Sequence, residues 1–369
     1  MAKHLLYILP YPRFFSQHAG VGGHVAHAAG VINGFIEHGF DINVLAEEHH
    51  EIFEIDGVDV DLVPNAVHSP ISRQFWALKL LVTLRLILKR HQFDLCYIRY
   101  SASFAPWIPV LKWLLGPVPL ILEVNSLGSQ WKPALRQLDR FALAAADRII
   151  CVSQILYDYI FELLGRKAAS ADLRLVINGV NASRFKVGPV DFERSGATHV
   201  GYAGLLKPDY GVEDLISAIR LLQCEKFVLH IFGDGPHRPR LEALASDVEN
   251  VQFHGPVPFL DMPAHLSAMD ILVYTTGQKY IYQSPTKLFE YMASAKPIIA
   301  ARTPQTELLL KNAETAFFFE VGQSEAIAQR IRQLDGDIES RLVMGAQARR
   351  EAEQEHSWTA RVAQILAKD

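Results

Sequence analysis

The sequence predicts an α/β protein with two doubly wound domains. Short apolar runs alternate with helical patterns through both halves of the 369-residue chain. Strands that are apolar at every position are typical of parallel sheets covered by helices on both faces. The alternation occurs twice, with a loop-like join at Val187-Gly188-Pro189, and the chain exceeds the usual size of one hydrophobic core. Such sheets bind ligands at the carboxyl ends of their strands, which predicts a site in a cleft between the domains.

The periodicity also places the individual elements. In the first half, strands are expected at Leu5–Leu9, Ile42–Leu45, Leu95–Ile98, Leu120–Glu123 and Arg148–Val152, and helices at Gly23–His38, Gln74–His91 and Leu135–Ala146. In the second half, strands are expected at Thr198–Tyr202, Lys226–Ile231, Val251–His254, Ile271–Tyr274 and Pro297–Ala300, and helices at Val212–Leu222, Pro239–Ala245, Met262–Ala268, Pro285–Ser294 and Ser324–Leu334.

Composition and charge exclude several classes of protein. A net charge of −4 gives no basis for nucleic-acid binding, so no nucleic-acid partner is expected. Cys96, Cys151 and Cys224 are far apart in sequence, which predicts neither a disulfide framework nor a zinc site and suits a reducing compartment. The first apolar run ends at Pro10 and is too short for a signal peptide or a membrane span. We therefore expect a cytoplasmic protein.

The segment from Ser284 to Ala293 predicts a helix whose first turn faces a phosphate. Ser284 suits the N-cap and Pro285 the first helical position. Lys287 follows in the first turn, where free backbone N–H groups and the helix dipole also attract an anion. Glu290 lies one turn further on the same face and is expected to bind vicinal sugar hydroxyls. The alternative is an ordinary capped helix with a surface Lys–Glu pair.

A glycine-rich loop follows the first predicted strand. Gly20-Val21-Gly22-Gly23-His24 precedes a helix, and glycines there allow backbone N–H groups to approach a ligand closely. Taken alone, the loop is equally well explained by a tight turn.

With these features placed, the chain resembles the retaining glycosyltransferases of the GT-B fold, in glycosyltransferase family 4. Leu122-Glu123-Val124-Asn125 is similar to a segment of the exopolysaccharide and capsule subgroup, and Val176-Ile177-Asn178-Gly179-Val180-Asn181 with Phe185 is similar to the inter-domain signature. The further matches, in chain order, are Gly39-Phe40-Asp41-Ile42, Ala145-Ala146-Asp147-Arg148, Gly201-Tyr202-Ala203-Gly204, Gly211-Val212-Glu213-Asp214-Leu215, Gly233-Asp234-Gly235-Pro236 and His356-Ser357-Trp358.

The resemblance implies two Rossmann-like domains and transfer of a sugar, with retention of its anomeric configuration. The donor would be a nucleotide-diphosphate sugar and the acceptor a glycan or a lipid-linked molecule. The acceptor-binding domain would span 1–190 and the nucleotide-sugar-binding domain 191–356, with a last helix, 357–369, crossing back to the first domain. Two alternatives stay open: an epimerase or hydrolase on the same fold, and a non-catalytic scaffold partner of a transferase complex.

The resemblance also assigns roles to residues. Glu290 corresponds to the second acid of the family's Glu-x7-Glu motif and would bind the ribose. The first acid is replaced by Tyr282, so Tyr282, Gln283 or Ser284 is expected to contact the sugar. Leu205 and Tyr210 replace the basic residues that usually grip the diphosphate, so Lys207 and Lys287 are expected to neutralise it.

Asn125 stands where many relatives carry a His that contacts the donor sugar, and the backbone of Val257 is expected to meet the base. The remaining residues expected to line the donor site are Gly22, Gly23, Gly204, Gly233, Asp234, Gly235, Pro285 and Thr286.

No metal and no cofactor are expected. Asp59-Val60-Asp61 and Asp335-Gly336-Asp337 fit the Asp-x-Asp string of metal-dependent transferases, but neither follows a strand end facing the cleft. We interpret both as surface carboxylates. In the family, the leaving phosphate is thought to take the acceptor proton, so that positioning and electrostatics carry the reaction.

Residues 73–91 predict a helix with two apolar stripes. No acidic residue occurs between Asp61 and Asp94. One stripe is expected to face the sheet, and the other, interleaved with cations, suits an anionic membrane surface and a peripheral position at the inner face of the membrane. The alternative is a fully buried helix whose cations snorkel. The stripes are Trp76, Leu80, Leu84 and Ile87, and Phe75, Leu78, Val82 and Leu86; the cations are Lys79, Arg85, Lys89 and Arg90.

Overall fold

The chain forms two compact units in its computed structural model, which describes residues 2–10, 23–47, 58–64, 70–165, 172–185, 196–222, 226–278 and 286–367. The first unit comprises Met1–Gly20, Val31–Ile177 and Arg361–Asp369, and the second comprises Val21–Gly30 and Asn178–Ala360. The change of unit thus falls at Asn178, before the Val187-Gly188-Pro189 join.

The first unit contains a seven-stranded parallel sheet in the order β3-β2-β1-β4-β5-β6-β7. The strand order reverses between β1 and β4, which is where doubly wound sheets bind ligands. The strands are β1 (Lys3–Leu9), β2 (Phe40–Glu47), β3 (Val58–Val63), β4 (Leu95–Arg99), β5 (Leu120–Val124), β6 (Arg148–Cys151) and β7 (Asp172–Leu175). The helices up to this point are α1 (Gly23–Glu37), α2 (Pro70–Arg90), α3 (Ile108–Leu115), α4 (Arg136–Ala144) and α5 (Gln154–Leu164).

The second unit contains a six-stranded parallel sheet in the order β10-β9-β8-β11-β12-β13, with its reversal between β8 and β11. Its strands are β8 (Thr198–Ala203), β9 (Phe227–Phe232), β10 (Val251–Gly255), β11 (Ile271–Tyr274), β12 (Ile298–Ala301) and β13 (Ala316–Phe319). The remaining helices are α6 (Val212–Leu222), α7 (Arg238–Leu244), α8 (Met262–Ala268), α9 (Thr286–Ala293), α10 (Pro304–Leu309), α11 (Ser324–Asp335), α12 (Ile338–Gln354) and α13 (Trp358–Leu366), and α13 belongs to the first unit from Arg361 onward. Single 3-10 turns occur in the first unit at Ala105–Trp107, Gly128–Gln130 and Pro133–Leu135, and in the second at Ala182–Arg184.

Burial explains why the predicted strands form. Every residue from Leu5 to Leu9 is buried, as is all of β5, because helices cover both faces of the sheet. Every strand and helix predicted from the periodicity is present, with ends that differ by a few residues. The prediction of two doubly wound parallel sheets is confirmed.

Most of the elements that the periodicity missed are polar or short. β7 is a four-residue strand whose Asp172 and Arg174 form an ion pair at 2.5 Å, so it lacks an apolar run. α12 carries charged residues around much of its surface and therefore gives a weak helical period. The other missed elements are β3, β13, α3, α5 and α10.

Helix α2 divides into two faces. Its first stripe packs in the core of the first unit, with Trp76, Leu80 and Leu84 buried. The second stripe is exposed to solvent, so the prediction of a fully buried helix is wrong. The exposed fractions are 65% for Phe75, 49% for Leu78, 57% for Val82 and 50% for Leu86. No helix in the described ranges has the length and hydropathy that a membrane span requires.

The two Asp-x-Asp strings have different surroundings. Asp335 is only 13% exposed and bonds to Lys226 at 2.6 Å and to the Thr198 hydroxyl, so its interpretation as a surface carboxylate is wrong. Asp337 caps α12 by accepting the Ser340 N–H at 2.9 Å. The other string lies on β3, where Asp59 is exposed. Among the described residues, no group of His, Cys, Asp and Glu side chains could hold a metal ion.

Gly345 provides a test of the packing of α12 near the end of α9. A Cβ at Gly345 would lie 2.2 Å from the carbonyl oxygen of Ala295, and a backbone atom cannot easily move away. We expect Gly345→Ala to lower the free energy of unfolding by about 1–3 kcal/mol, measured by chemical denaturation. Gly336→Ala is the matched control, because its nearest atom would be 3.6 Å away. Equal stability of the two variants would contradict the packing argument.

Candidate functional site

Helix α9 is fixed at the end of β8 in the second unit. The hydroxyl of Tyr291, a fully buried residue, accepts the Ala203 N–H at 2.8 Å. Arg349 donates to the carbonyl of Ala293, in the last turn of the helix, at 3.2 Å and to that of Phe185 at 2.7 Å. These contacts fix the second half of α9 at the end of β8, beside the point where the strand order reverses, which is the usual ligand site of such a sheet.

Three tyrosine rings surround the ammonium of Lys287 in that first turn, and we call them the tyrosine cage. Lys287 Nζ donates to the Tyr202 hydroxyl at 3.0 Å and lies 4.4 Å from the centroid of its ring. The Tyr274 and Tyr210 centroids are 5.7 and 5.8 Å away. Among the described residues, no carboxylate lies within ion-pair distance of this ammonium. Aromatic faces attract a cation without neutralising it, so its charge is available to an anion.

Burial shifts the pKa values of two residues on α9 in opposite directions, and in each case it favours the neutral form. It lowers the pKa of Lys287 to about 7, and the neighbouring Glu290 opposes this shift. It raises the pKa of Glu290 to about 7, while Arg184 and Lys287 act to lower it. An anionic ligand at the first turn would favour the protonated form of Lys287, because an opposite charge stabilises the ammonium.

In the loops after β8 and β9, glycines occupy positions where a side chain would collide with a neighbouring atom. A Cβ on Gly204 would lie 2.2 Å from Lys287 Nζ, so this glycine leaves room for the ammonium. A Cβ on Gly233 would lie 2.0 Å from the carbonyl oxygen of Gly204, and one on Gly235 would lie 2.2 Å from that of Leu206. The two loops therefore stack closely at the carboxyl edge of the sheet.

Arg184 is a site residue that the sequence reasoning missed. Its guanidinium lies 3.5 Å from the centroid of the Phe259 ring and donates to the Phe259 carbonyl at 2.7 Å. It also has the largest lowering effect on the pKa of Glu290. Arg184 thus contacts the loop after β10, which includes Val257, and its charge also acts on Glu290. Arg184 lies between Asn181 and Phe185, within the motif that resembles the inter-domain signature, and this position could have indicated it from the sequence.

The other predicted site residues of the second unit differ in their exposure to solvent. Lys207 is exposed in the loop after β8, Val257 is buried, and Asp234 is exposed, with its carboxylate accepting the Gly235 N–H at 2.8 Å. Thr286 begins α9 and Gly23 begins α1. Gly22, Tyr282, Gln283, Ser284 and Pro285 lie outside the described residues.

Two sequence motifs meet in the second unit. Val180 donates its N–H to the His356 carbonyl at 2.9 Å and accepts from Trp358 at 3.2 Å. Nearby, His27 Nδ1 lies 2.9 Å from Asn178 Oδ1, and its ring stands edge-on to Trp358. The segments around residues 178 and 356 therefore stabilise one another through backbone pairing.

Asn125, the predicted site residue of the first unit, directly follows β5. It is half-buried, and its amide nitrogen donates to the carboxylate of Glu123. The side chain therefore lies at the carboxyl edge of the first sheet, held by a neighbour that the sequence reasoning quoted only as part of a motif.

Comparisons with known proteins identify the family. Residues 21–184 match the family described as Glycosyltransferase Family 4, and residues 197–337 match Glycosyl transferases group 1. A curated relative, N-acetyl-alpha-D-glucosaminyl L-malate synthase of Bacillus anthracis, is 25% identical over 346 residues, covering 83% of this chain and 85% of its own.

Solved structures share the fold at low identity. HepE of Anabaena, in complex with UDP and glucose, has a TM-score of 0.70 at 18% identity and covers 98% of each chain. A glycosyltransferase of Rickettsia africae has a TM-score of 0.74 at 16% identity, covering 99% of this chain and 97% of its own. These likenesses show the GT-B fold.

Substituting Lys287 tests the phosphate contact. We expect Lys287→Ala to weaken binding of a nucleoside diphosphate by about 10–100-fold and leave binding of the nucleoside unchanged, because a charge-assisted hydrogen bond is lost. Calorimetric titration measures both. Wild-type affinity should fall as pH rises through about 7, because the ammonium loses its proton, and the variant should lack this component.

Lys79→Ala is the matched control, since Lys79 is an exposed lysine on α2. Equal losses of nucleoside and nucleoside diphosphate binding in Lys287→Ala would argue against a phosphate contact.

Proposed function

Because this chain is a GT-B glycosyltransferase of the family 4 and group 1 type, we propose that it is a retaining enzyme that uses a nucleotide-diphosphate sugar. The acceptor is a glycan or a lipid-linked molecule. The observation that carries this proposal is Lys287, an ammonium without a carboxylate partner in the described part of the chain, at the first turn of α9.

The diphosphate is proposed to bind at the first turn of α9. The helix dipole attracts its charge there, together with Lys287 and the exposed Lys207. When the bond between the anomeric carbon and the phosphate oxygen breaks, its electron pair goes to that oxygen. The leaving phosphate then takes the proton of the acceptor hydroxyl, whose oxygen bonds the anomeric carbon on the same face. Lysines and a helix terminus stabilise the leaving charge, so we propose that no metal is required.

Glu290 is proposed to bind the ribose hydroxyls. A carboxylate is a stronger acceptor than a carboxylic acid, and burial alone would favour the protonated form. Arg184 and Lys287 oppose that effect, and with the pKa raised to about 7 the ionised form predominates only above neutral pH. Asn125 is proposed to hydrogen-bond a sugar hydroxyl. HepE binds UDP in its structure, which makes UDP the first nucleotide to test.

Thermal stabilisation by a panel of nucleoside diphosphates and nucleotide sugars tests this function. A ligand that binds only the folded chain raises the melting temperature, and we expect a shift with one nucleotide that EDTA does not change. Glu290→Ala should abolish sugar transfer without lowering the melting temperature of the free protein. Glu339→Ala, at the start of α12, is the control. No shift with any nucleotide, or full activity of Glu290→Ala, would contradict the proposal.

We also propose that the exposed face of α2 binds an anionic membrane surface. Phe75, Leu78, Val82 and Leu86 alternate there with four exposed cations, over an arc of roughly 140° at 3.6 residues per turn. Within the described residues, Lys79, Arg85, Lys89 and Arg90 form no ion pair. Apolar side chains among unpaired cations complement anionic headgroups and the acyl boundary below them. This location suits a lipid-linked acceptor.

Sedimentation with vesicles tests the membrane proposal. The protein should bind vesicles of phosphatidylglycerol and phosphatidylcholine more tightly than vesicles of phosphatidylcholine alone, and salt should weaken binding. The double variant Phe75→Ser, Leu86→Ser should lose about tenfold in affinity at an unchanged melting temperature, because both side chains are exposed. The control, Ile338→Ser with Leu342→Ser, removes two equally exposed apolar side chains from α12. Equal loss in both double variants would contradict a specific surface.

A further inference from the structure

A buried carboxylate lies behind Asn125 at the carboxyl edge of the first sheet. Glu123, the fourth residue of β5, is 1% exposed. It accepts the Tyr97 hydroxyl at 2.7 Å and the amide nitrogen of Asn125, and Arg99 Nε lies 3.8 Å away. Tyr97 and Arg99 belong to β4, whose residue 99 stands opposite residue 123 in the register.

The chemistry of these groups fixes where each proton lies. Burial and the Glu123 charge both raise the pKa of Tyr97, so its phenol stays protonated and donates. A carboxylate can only accept, so Asn125 must turn its NH2 group toward Glu123. The amide oxygen of Asn125 is then the atom that can bind another molecule. It can accept a hydrogen bond from a hydroxyl.

Stability alone does not explain this arrangement. Burying a carboxylate and a guanidinium costs free energy that their mutual attraction only partly returns, and apolar residues of similar volume often serve a core equally well. The pair lies beside the edge where this class of sheet binds ligands, and β1 and β4 flank the reversal of strand order. The position of the carboxylate next to Asn125 is therefore informative.

We propose that Glu123 is a positioning residue for sugar transfer, which fixes the amide of Asn125 so that its oxygen accepts a hydroxyl of a sugar substrate. This inference rests on the proposed function. Tyr97 and Arg99 hold the Glu123 carboxylate in place, and Glu123 in turn selects one of the two orientations of the Asn125 amide. A substrate sugar without that hydroxyl loses the contact.

A double-mutant cycle tests the inference. Glu123→Gln keeps the volume but can present either a donor or an acceptor to Asn125, so the amide is no longer held one way. We expect Glu123→Gln to lower kcat/KM for sugar transfer by about fivefold in the wild-type background and by less than about twofold in an Asn125→Ala background. Nucleoside diphosphate affinity, which involves no sugar, should be unchanged in every variant.

Two results would overturn the positioning role. One is the same loss in both backgrounds, which would mean that Glu123 acts independently of Asn125. The other is full activity of Glu123→Gln. Glu123→Ala adds a second comparison, because it should lose as much activity as Asn125→Ala while the double variant loses no more. If it does not fold, the Glu123→Gln cycle decides alone. Absence of transfer by the wild-type protein with every donor would instead contradict the proposed function.

Discussion

The ammonium of Lys287, enclosed by aromatic rings with no carboxylate partner in the described chain, is the constraint that organises the second unit. Burial works against its charge, and the three rings of the tyrosine cage attract a cation without cancelling it. At Gly204, the ammonium occupies the space that a side chain would fill. Tyr291 and the contact of Arg349 with Ala293 fix the second half of α9, and Lys287 in its first turn donates to Tyr202.

At the carboxyl edge of its sheet, the first unit carries a different arrangement of charges. Its charge is paired internally, between Glu123 and Arg99, and what faces outward is a neutral amide. A paired network orients a hydrogen bond, whereas an unpaired ammonium attracts an anion over a longer range. The carboxyl edge of the first sheet thus carries a neutral hydrogen-bonding group, and that of the second sheet carries a cationic one.

The sequence predicted the buried parallel strands and the two faces of α2, because burial leaves a periodic apolar pattern that can be read locally. It also indicated Lys287 and Glu290, which lie one turn apart on a single helix. The tyrosine cage could not be predicted this way, since Tyr202, Tyr210 and Tyr274 come from separate segments. Arg184, Asp335 and β7 were missed or misinterpreted because long-range polar contacts determine them. The roles of all the predicted site residues stay predictions, and Gly22 and residues 282–285 also lie outside the described residues.

The resemblance places Tyr210 at a position where the family's pattern has a basic residue, and the centroid of its ring lies 5.8 Å from Lys287 Nζ. An ammonium at the position of that ring would lie about 6 Å from Lys287, at a repulsion of about 3 kcal/mol for an effective dielectric constant of about 20. The side chain at position 210 and the charge of Lys287 therefore depend on each other. A cation introduced at position 210 would therefore need a bound anion, or different surroundings of Lys287, to offset that repulsion.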